Sequence, residues 1–254
     1  MKIKHLFVIF FFLMGPILAY DIDAGRRIGM GGTVILSSPM GDLTAEMGFE
    51  RRFDLSELDR YYAIIGYRYK NVTGAIGFSQ FGESNYYTEK LLKATAAIRL
   101  RMFTGGLLVG CKMIDIGNGY GSFRAGSVGL MGGMDCRKLH LGFVADNINQ
   151  PKLADNAEPD KAVFSLYGEI EGPSIYSITC RAEFREFEKP AMSIGQYIRL
   201  IGKNAIFWGI TGNPMTYGGG IEMCKSGLII NYAVSYHPVL GLRHNISLGF
   251  GRPN

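Results

Sequence analysis

The residue types that most often carry catalysis or metal binding are sparse and scattered in this sequence. His140, His237 and His244 show neither an i,i+4 spacing nor an H-E-x-x-H motif, so they predict no zinc site. No serine stands in a G-x-S-x-G elbow, and the glycine-rich residues 29–32 do not belong to a phosphate-binding motif that follows a strand and opens a helix. We therefore predict that the protein is not an enzyme and uses no metal or other cofactor.

The four cysteines offer no metal site either. Cys111, Cys136, Cys180 and Cys224 are far apart, without a C-x-x-C pair. They are interpreted as buried or lipid-facing thiols, with two disulfides as the alternative in an oxidising compartment.

Alternation with a period of two dominates the chain and predicts strands rather than helices. Between residues 90 and 102, Leu92, Ala94, Ala96, Ile98 and Leu100 share one face, while the other face carries polar and basic side chains. The same dyad pattern recurs at residues 176–185, 228–237 and 242–250. Further strand candidates are 43–53, 61–70, 72–81, 105–115, 124–136, 138–147, 162–170, 191–201, 204–212 and 215–225.

These segments predict an all-β fold, a transmembrane antiparallel up-and-down barrel of about 14 strands, with 12 as the alternative count. The expected strand length is about nine to eleven residues, which suits a tilted strand that crosses a bilayer. Short connections rich in Gly, Pro, Asn and Asp alternate with longer ones at 82–89, 117–123 and 147–161, as expected for a turn side and a loop side. Tyrosine and phenylalanine pairs such as Tyr61-Tyr62 and Tyr86-Tyr87 are interpreted as interfacial girdles.

Charged side chains in the middle of the predicted strands favour a barrel with a wet interior. Arg99, Arg181, Glu183 and Arg199 lie on the polar faces, and we predict that they line the lumen as ion pairs rather than act in catalysis. At the last predicted strand, Ile246, Leu248 and Phe250 alternate as in the assembly signal of outer-membrane barrels, which predicts recognition by the barrel-assembly machinery.

The first residues indicate export from the cytoplasm. A basic start, an apolar run from Leu6 to Met14 and small residues up to Ala19 predict a cleaved signal peptide over 1–19, with Ala24 as an alternative cleavage position and an uncleaved anchor as the alternative reading. The net charge of +5 includes no run of basic residues longer than two, so nucleic acid is excluded as a partner. We divide the chain into a signal peptide (1–19), a plug-like segment (20–42) and a barrel (43–254).

Three motifs resemble the PorV/PorQ-like outer-membrane barrels, which are relatives of the FadL fatty-acid transporters. Residues 26–33 (RRIGMGGT) are similar to that group's opening motif. Residues 229–233 (IINYA) and 237–248 (HPVLGLRHNISL) resemble its ending, and residues 147–151 (NINQP) resemble a mid-barrel loop. The resemblance implies an N-terminal plug, on which Met30, Val34 and Leu36 are the expected ligand-binding residues.

The functional hypotheses follow from the barrel and the resemblance. The first is a bacterial outer-membrane protein in contact with lipid, which is either a conduit for hydrophobic small molecules or a surface component of protein secretion with a protein partner. The alternative is a secreted structural or adhesive β-protein without a membrane role. A membrane-bound phospholipase or protease is a third class, for which the sequence offers no recognisable catalytic pair.

Overall fold

The computed structural model describes residues 43–83, 86–117, 121–172, 176–200 and 204–251. The predicted signal peptide and the predicted plug, with Met30, Val34 and Leu36, lie outside the described residues. Within the described ranges, no helix is long and apolar enough to span a membrane.

Fourteen antiparallel strands form one closed barrel in which each strand pairs with its neighbours in sequence. The ring closes where β1 pairs with β14, in a ladder from Thr44 opposite Gly251 to Arg52 opposite Arg243. The prediction of about fourteen strands in an up-and-down barrel is confirmed. The strands are β1 (Leu43–Arg52), β2 (Leu55–Tyr69), β3 (Val72–Glu83), β4 (Tyr87–Leu100), β5 (Phe103–Ile116), β6 (Gly121–Cys136), β7 (Leu139–Asp146), β8 (Val163–Glu171), β9 (Tyr176–Arg185), β10 (Ala191–Arg199), β11 (Ala205–Gly212), β12 (Thr216–Lys225), β13 (Leu228–His237) and β14 (Gly241–Gly251).

The connections differ between the two ends of the barrel. At one end, β2–β3, β4–β5, β6–β7 and β12–β13 are joined by two-residue turns. The last of these, Ser226-Gly227, has positive φ at both positions (53° and 85°), the geometry that matches the twist of a two-stranded hairpin. The opposite end carries the long connection 147–162, so we name it the loop end and the other the turn end.

Strand length divides the wall into two parts. Strands β2 to β6 have 15, 12, 14, 14 and 16 residues, whereas β7 to β14 have only 8 to 11. The expected nine to eleven residues are therefore wrong for β2–β6. Most of the added residues lie at the loop end, where β2 begins at Leu55 rather than at Tyr61. The first residues of β2 are mainly polar, and Asp59 is bound to Arg51 at 2.8 Å. Because a polar segment shows no alternation of apolar residues, the sequence pattern did not indicate this part of the strand.

The outward face of the wall is a continuous apolar belt. Neighbouring residues in a strand point to opposite faces, and in β5 Leu107 is 57% exposed while Leu108 is 1% exposed. Exposed apolar side chains recur at alternate positions all round the ring, among them Met47, Ile65, Ile76, Leu92, Ile98, Val109, Leu130, Phe164, Ile178, Ile194, Ile206, Ile221, Tyr232 and Leu248. Tyr61 lies on this face, but Tyr62 is buried on the inward face, so its interpretation as a girdle residue is wrong.

Candidate functional site in the barrel lumen

The inward faces of β2 to β8 carry a contiguous group of apolar side chains, which we call the apolar lumen cluster. The lumen of a porin is lined mainly by polar side chains. A function proposed for this barrel must therefore account for the apolar group. Its members are buried and in mutual contact: Tyr62, Ile64, Ala75, Ala97, Leu108, Met131, Val144 and Tyr167.

A glycine on β1 makes room for the aromatic member nearest the closing seam. A Cβ atom at Gly48 would lie 2.3 Å from the ring of Tyr62, so the ring occupies the space that any other side chain would need. From there the Tyr62 hydroxyl reaches the Glu46 carboxylate at 3.2 Å and the Asn245 side-chain oxygen at 3.4 Å. The same device recurs on the other side of the lumen, where the ring of Phe207 lies against Gly220.

A second, smaller apolar group lies on the inward faces of β10 to β13. It consists of Tyr197, Ala205, Phe207 and Ala233. The Tyr197 hydroxyl donates a hydrogen bond of 2.7 Å to the buried Glu222 carboxylate. A polar side chain therefore lies directly beside this apolar group. The inward lining therefore combines apolar and polar side chains all round, with the larger contiguous apolar group on β2–β8 and the smaller one on β10–β13.

Buried charges on the inner wall form ion pairs. Lys93 of β4 and Asp146 of β7 form an ion pair, and both side chains are almost entirely buried. Because three strand-to-strand steps separate β4 from β7 in the ring, the pair bridges the curve of the wall on its inner side. Removing two charges from water is costly, so such a site persists only when the charges meet.

Nearer the loop end, the inward charges also compensate one another. Glu50 is 0% exposed, accepts a hydrogen bond of 2.6 Å from Arg52, and lies 2.6 Å from the Arg243 guanidinium as an ion pair. On β5, Lys112 lies 3.7 Å from Glu89 and 3.6 Å from Asp160 of the long connection. The long connection is thus tied to the inner wall at both of its ends, at Asp146 and at Asp160.

An asparagine side chain anchors the same connection to the wall. Strand β6 pairs with β7 only from Leu130 to Cys136, which leaves its loop-end half without a strand on that side among the described residues. Asn149 occupies this edge, where its amide accepts a bond of 3.0 Å from the Val128 backbone and donates one of 2.8 Å to the Gly126 carbonyl. The residue belongs to the segment 147–151 (NINQP) that resembles a mid-barrel loop, and here its side chain makes the hydrogen bonds that a neighbouring strand would otherwise make.

The four basic and acidic side chains predicted for the lumen occupy inward positions of their strands. Arg181 and Glu183 form an ion pair on β9, to which Arg185 adds a second contact at 2.9 Å. The Arg181 guanidinium also lies over the Tyr167 ring, 5.5 Å from its centre. Arg99 binds Asp135 at 2.7 Å at the turn end, away from the Arg181 pair. Arg199 lies at the last position of β10, exposed and apart from the others.

The residues predicted as an assembly signal are Ile246, Leu248 and Phe250. They lie on the outward face of β14, the strand that closes the barrel against β1. The four cysteines are free thiols. Within the described residues, no three histidine, cysteine or acidic side chains are grouped so that they could hold a metal ion.

Several central lumen residues were missed when the sequence alone was considered. Lys93, in the middle of β4, and Glu50, near the loop end of β1, carry buried charges, and a charge within a strand whose other face is apolar is the signal that could have identified both. Tyr62 gave no such signal, because a tyrosine beside a tyrosine is compatible with either face of the wall.

The closed antiparallel ring, the outward apolar belt and the inward charge pairs together define the architecture of a transmembrane β-barrel. No protein-family model matches the chain. No curated protein matches it either. The likeness to known proteins therefore lies in the fold.

Solved outer-membrane barrels share this fold. A TodX monoaromatic hydrocarbon channel, in a variant called deltaS2, aligns with a TM-score of 0.67 at 10% identity and covers 92% of this chain and 100% of its own. The outer membrane protein Omp33 of Acinetobacter baumannii aligns with a TM-score of 0.56 at 9% identity, covering 83% and 98%. Identities this low show a common fold and nothing finer. The PorV/PorQ-like resemblance of the chain ends is accordingly not established as a family relationship.

Proposed function

We propose that this protein is an outer-membrane barrel that serves as a conduit for hydrophobic small molecules. The observation that carries the proposal is the apolar lumen cluster, because a pathway built for ions or sugars has no use for Leu108, Met131 and Val144 on its inner wall. Apolar ligands are held by concave apolar linings with a few polar groups.

The outward belt supports the location. Exposed isoleucine, leucine, valine and phenylalanine side chains all round the ring would be unfavourable in water, since burial of apolar surface stabilises by about 25 cal/mol per Å². In a bilayer the same side chains contact acyl chains. The loop end with the long connection 147–162 then faces the exterior, and the turn end faces the periplasm.

Two comparisons agree with the proposed cargo. The TodX structure is described as a monoaromatic hydrocarbon channel. The ends of this chain resemble the PorV/PorQ-like and FadL group, and that resemblance implies transport of hydrophobic molecules as one role. The secretion role implied by the same resemblance needs a partner-binding loop face. At the loop end Asp160 is bound to Lys112, but Phe187 and Val239 are 91% and 85% exposed, so the preference for a conduit rests on the lumen lining and not on this face.

Ligand uptake and conductance together test the proposal. Cells that display the wild-type barrel should take up p-xylene faster than cells with an empty vector, while the purified barrel in planar bilayers should conduct ions weakly. Leu108→Asp should lower p-xylene uptake because a carboxylate would enter the apolar lumen cluster. Leu108→Met, which keeps volume and polarity, is the matched control and should behave as wild type.

Folding must be separated from transport in this experiment. Each variant is scored by its heat-modifiable migration in gels of unboiled membranes, and Met131→Gln replaces Leu108→Asp if that variant does not assemble. Large, steady conductance without p-xylene uptake would contradict the proposal and favour an open porin.

A further inference from the structure

A row of buried hydrogen-bonding side chains runs across the inward faces of β12, β13 and β14, and we call it the polar lumen row. Its members are neighbours in register: Glu222 lies opposite Asn231, and Asn231 lies opposite Ser247. Asn245, two residues before Ser247, lies diagonally across from Asn231 on the same inward face. Asn231 is 3% exposed and Asn245 is 1% exposed, so these are interior groups.

Each asparagine satisfies only part of its amide within the wall. The Asn231 side-chain nitrogen donates a bond of 3.2 Å to the Ser247 hydroxyl, and the Asn245 side-chain oxygen accepts one of 3.4 Å from Tyr62. The Asn231 Oδ1 and Asn245 Nδ2 atoms have no hydrogen-bond partner among the residues that the structure describes. A buried polar atom without a partner costs about 1–3 kcal/mol, which is a reason to expect a ligand there.

From these atoms we infer that the polar lumen row binds the uncharged hydroxyl end of an otherwise apolar ligand, such as a phenol or an alcohol. One free acceptor (Asn231 Oδ1) and one free donor (Asn245 Nδ2) match a group that both donates and accepts. The apolar lumen cluster, which shares Tyr62 with this site, holds the hydrocarbon part. The inference rests on the proposed function and names the substrate class within it.

The charges around the row favour a neutral head group over a carboxylate. A carboxylate accepts hydrogen bonds but cannot donate one to Asn231 Oδ1, and the buried Glu222 carboxylate stands beside that residue. Arg243, which lies two residues before Asn245 on the same face of β14, is ion-paired with Glu50. A plain hydrocarbon, in contrast, would leave both amide atoms without a partner.

Three probes of one shape test the inference: p-cresol, p-xylene and p-toluate, which end in a hydroxyl, a methyl group and a carboxylate. Wild-type barrel and the Asn245→Leu and Asn231→Leu variants are equilibrated with each probe in the same nonionic detergent, and the retained probe is measured by mass spectrometry. Partitioning of the probe into micelles cancels because every comparison is between proteins in the same micelle.

We expect each asparagine variant to retain p-cresol about five- to tenfold less tightly than wild type, the effect of losing one hydrogen bond, and to retain p-xylene unchanged. Ser165→Ala, a buried inward hydroxyl on β8, is the matched control and should change neither probe. Asn245→Ala and Asn231→Ala are used if a leucine variant does not show the heat-modifiable migration of a folded barrel.

The outcomes separate this inference from the function on which it rests. If wild type retains p-xylene and the asparagine variants lower p-cresol no more than p-xylene, the hydroxyl site is wrong and the apolar conduit stands. A stronger dependence of p-toluate on the asparagines would overturn the neutral head group. If wild type retains neither p-xylene nor p-cresol, the conduit fails as well.

Discussion

The two faces of one strand show how the side-chain composition of the outer surface differs from that of the inner surface. On β5, Leu107 points outward into the apolar belt, and its neighbour Leu108 points inward into the apolar lumen cluster. The outer side is uniform, because over the middle of the wall the exposed side chains are almost all apolar. The inner side alternates between apolar residues and compensated charges. The outer face is suited to one environment, lipid, whereas the inner face offers both apolar and polar surface, as the ligand proposed above requires.

The largest effect is expected on the inner face, from a charge that loses its partner. Lys93→Met removes the buried cation with which Asp146 pairs and should lower the free energy of unfolding by about 3–5 kcal/mol, because breaking a buried ion pair by removing one partner is costly. Urea titration of the folded band in lipid vesicles measures it. The double variant Lys93→Met/Asp146→Leu is the control and should recover much of the loss. A double variant as unstable as the single one would show that this pair does not carry the effect.

A charged side chain introduced on the outer face should destabilise the barrel, whatever residues surround it. Ala96 lies outward at the centre of the apolar stretch from Leu92 to Leu100 in β4. Ala96→Arg should lower barrel stability by about 2–4 kcal/mol, the cost of an arginine at the bilayer midplane, and reduce the yield of assembled barrel. Ala96→Leu keeps the face apolar and should assemble as wild type. Equal yields of the two variants would contradict the assignment of this face to lipid.

A smaller effect is expected where a neutral donor supports a buried carboxylate. Tyr197→Phe removes the 2.7 Å hydrogen bond to Glu222 and leaves the ring packing unchanged, so it should lower stability by about 1.5–3 kcal/mol. Urea titration at neutral pH measures the loss. Tyr167→Phe, on the opposite inner wall and outside this contact, gives the comparison. A Tyr197→Phe barrel as stable as wild type would mean that the Tyr197 hydroxyl contributes nothing to the polar lumen row.

The smallest effect concerns a polar pair on the outer face. The indole nitrogen of Trp208 donates a bond of 2.9 Å to the Gln196 side chain, and both residues point outward from β11 and β10. Gln196→Leu exchanges one exposed hydrogen bond for an apolar contact, so stability should change by less than about 1 kcal/mol while Trp208 fluorescence shifts to shorter wavelength. A shift to longer wavelength would indicate that this part of the face is in contact with water.

Alternation made most of the fold predictable. Strand β13 was predicted at residues 228–237, and the structure gives the same bounds, because each outward side chain there is apolar or aromatic and each inward one except Ile229 is small or polar. Alternation does not predict a strand segment that extends beyond the apolar belt. The first residues of β2 include Asp59, which binds Arg51, and carry no apolar period of two.

The lumen was less predictable than the wall. A period of two assigns Lys93 to the inner face, but its partner Asp146 is 53 positions away, and only the closure and curvature of the ring bring them together. The polar lumen row depends likewise on the register between β12, β13 and β14, which no local pattern specifies. Alternation therefore predicts the face of most strand residues, with Tyr62 as an exception, but does not predict which side chains they contact there.

Quenching of the single tryptophan tests the central claim, that the outward face of this closed barrel contacts lipid. Trp208 is the only tryptophan in the sequence, and its side chain lies on the outward face near the middle of β11. In vesicles whose acyl chains carry bromine, Trp208 fluorescence should be strongly quenched, and aqueous iodide should quench it weakly. Strong quenching by iodide together with no effect of brominated acyl chains would contradict the account and place this face in water.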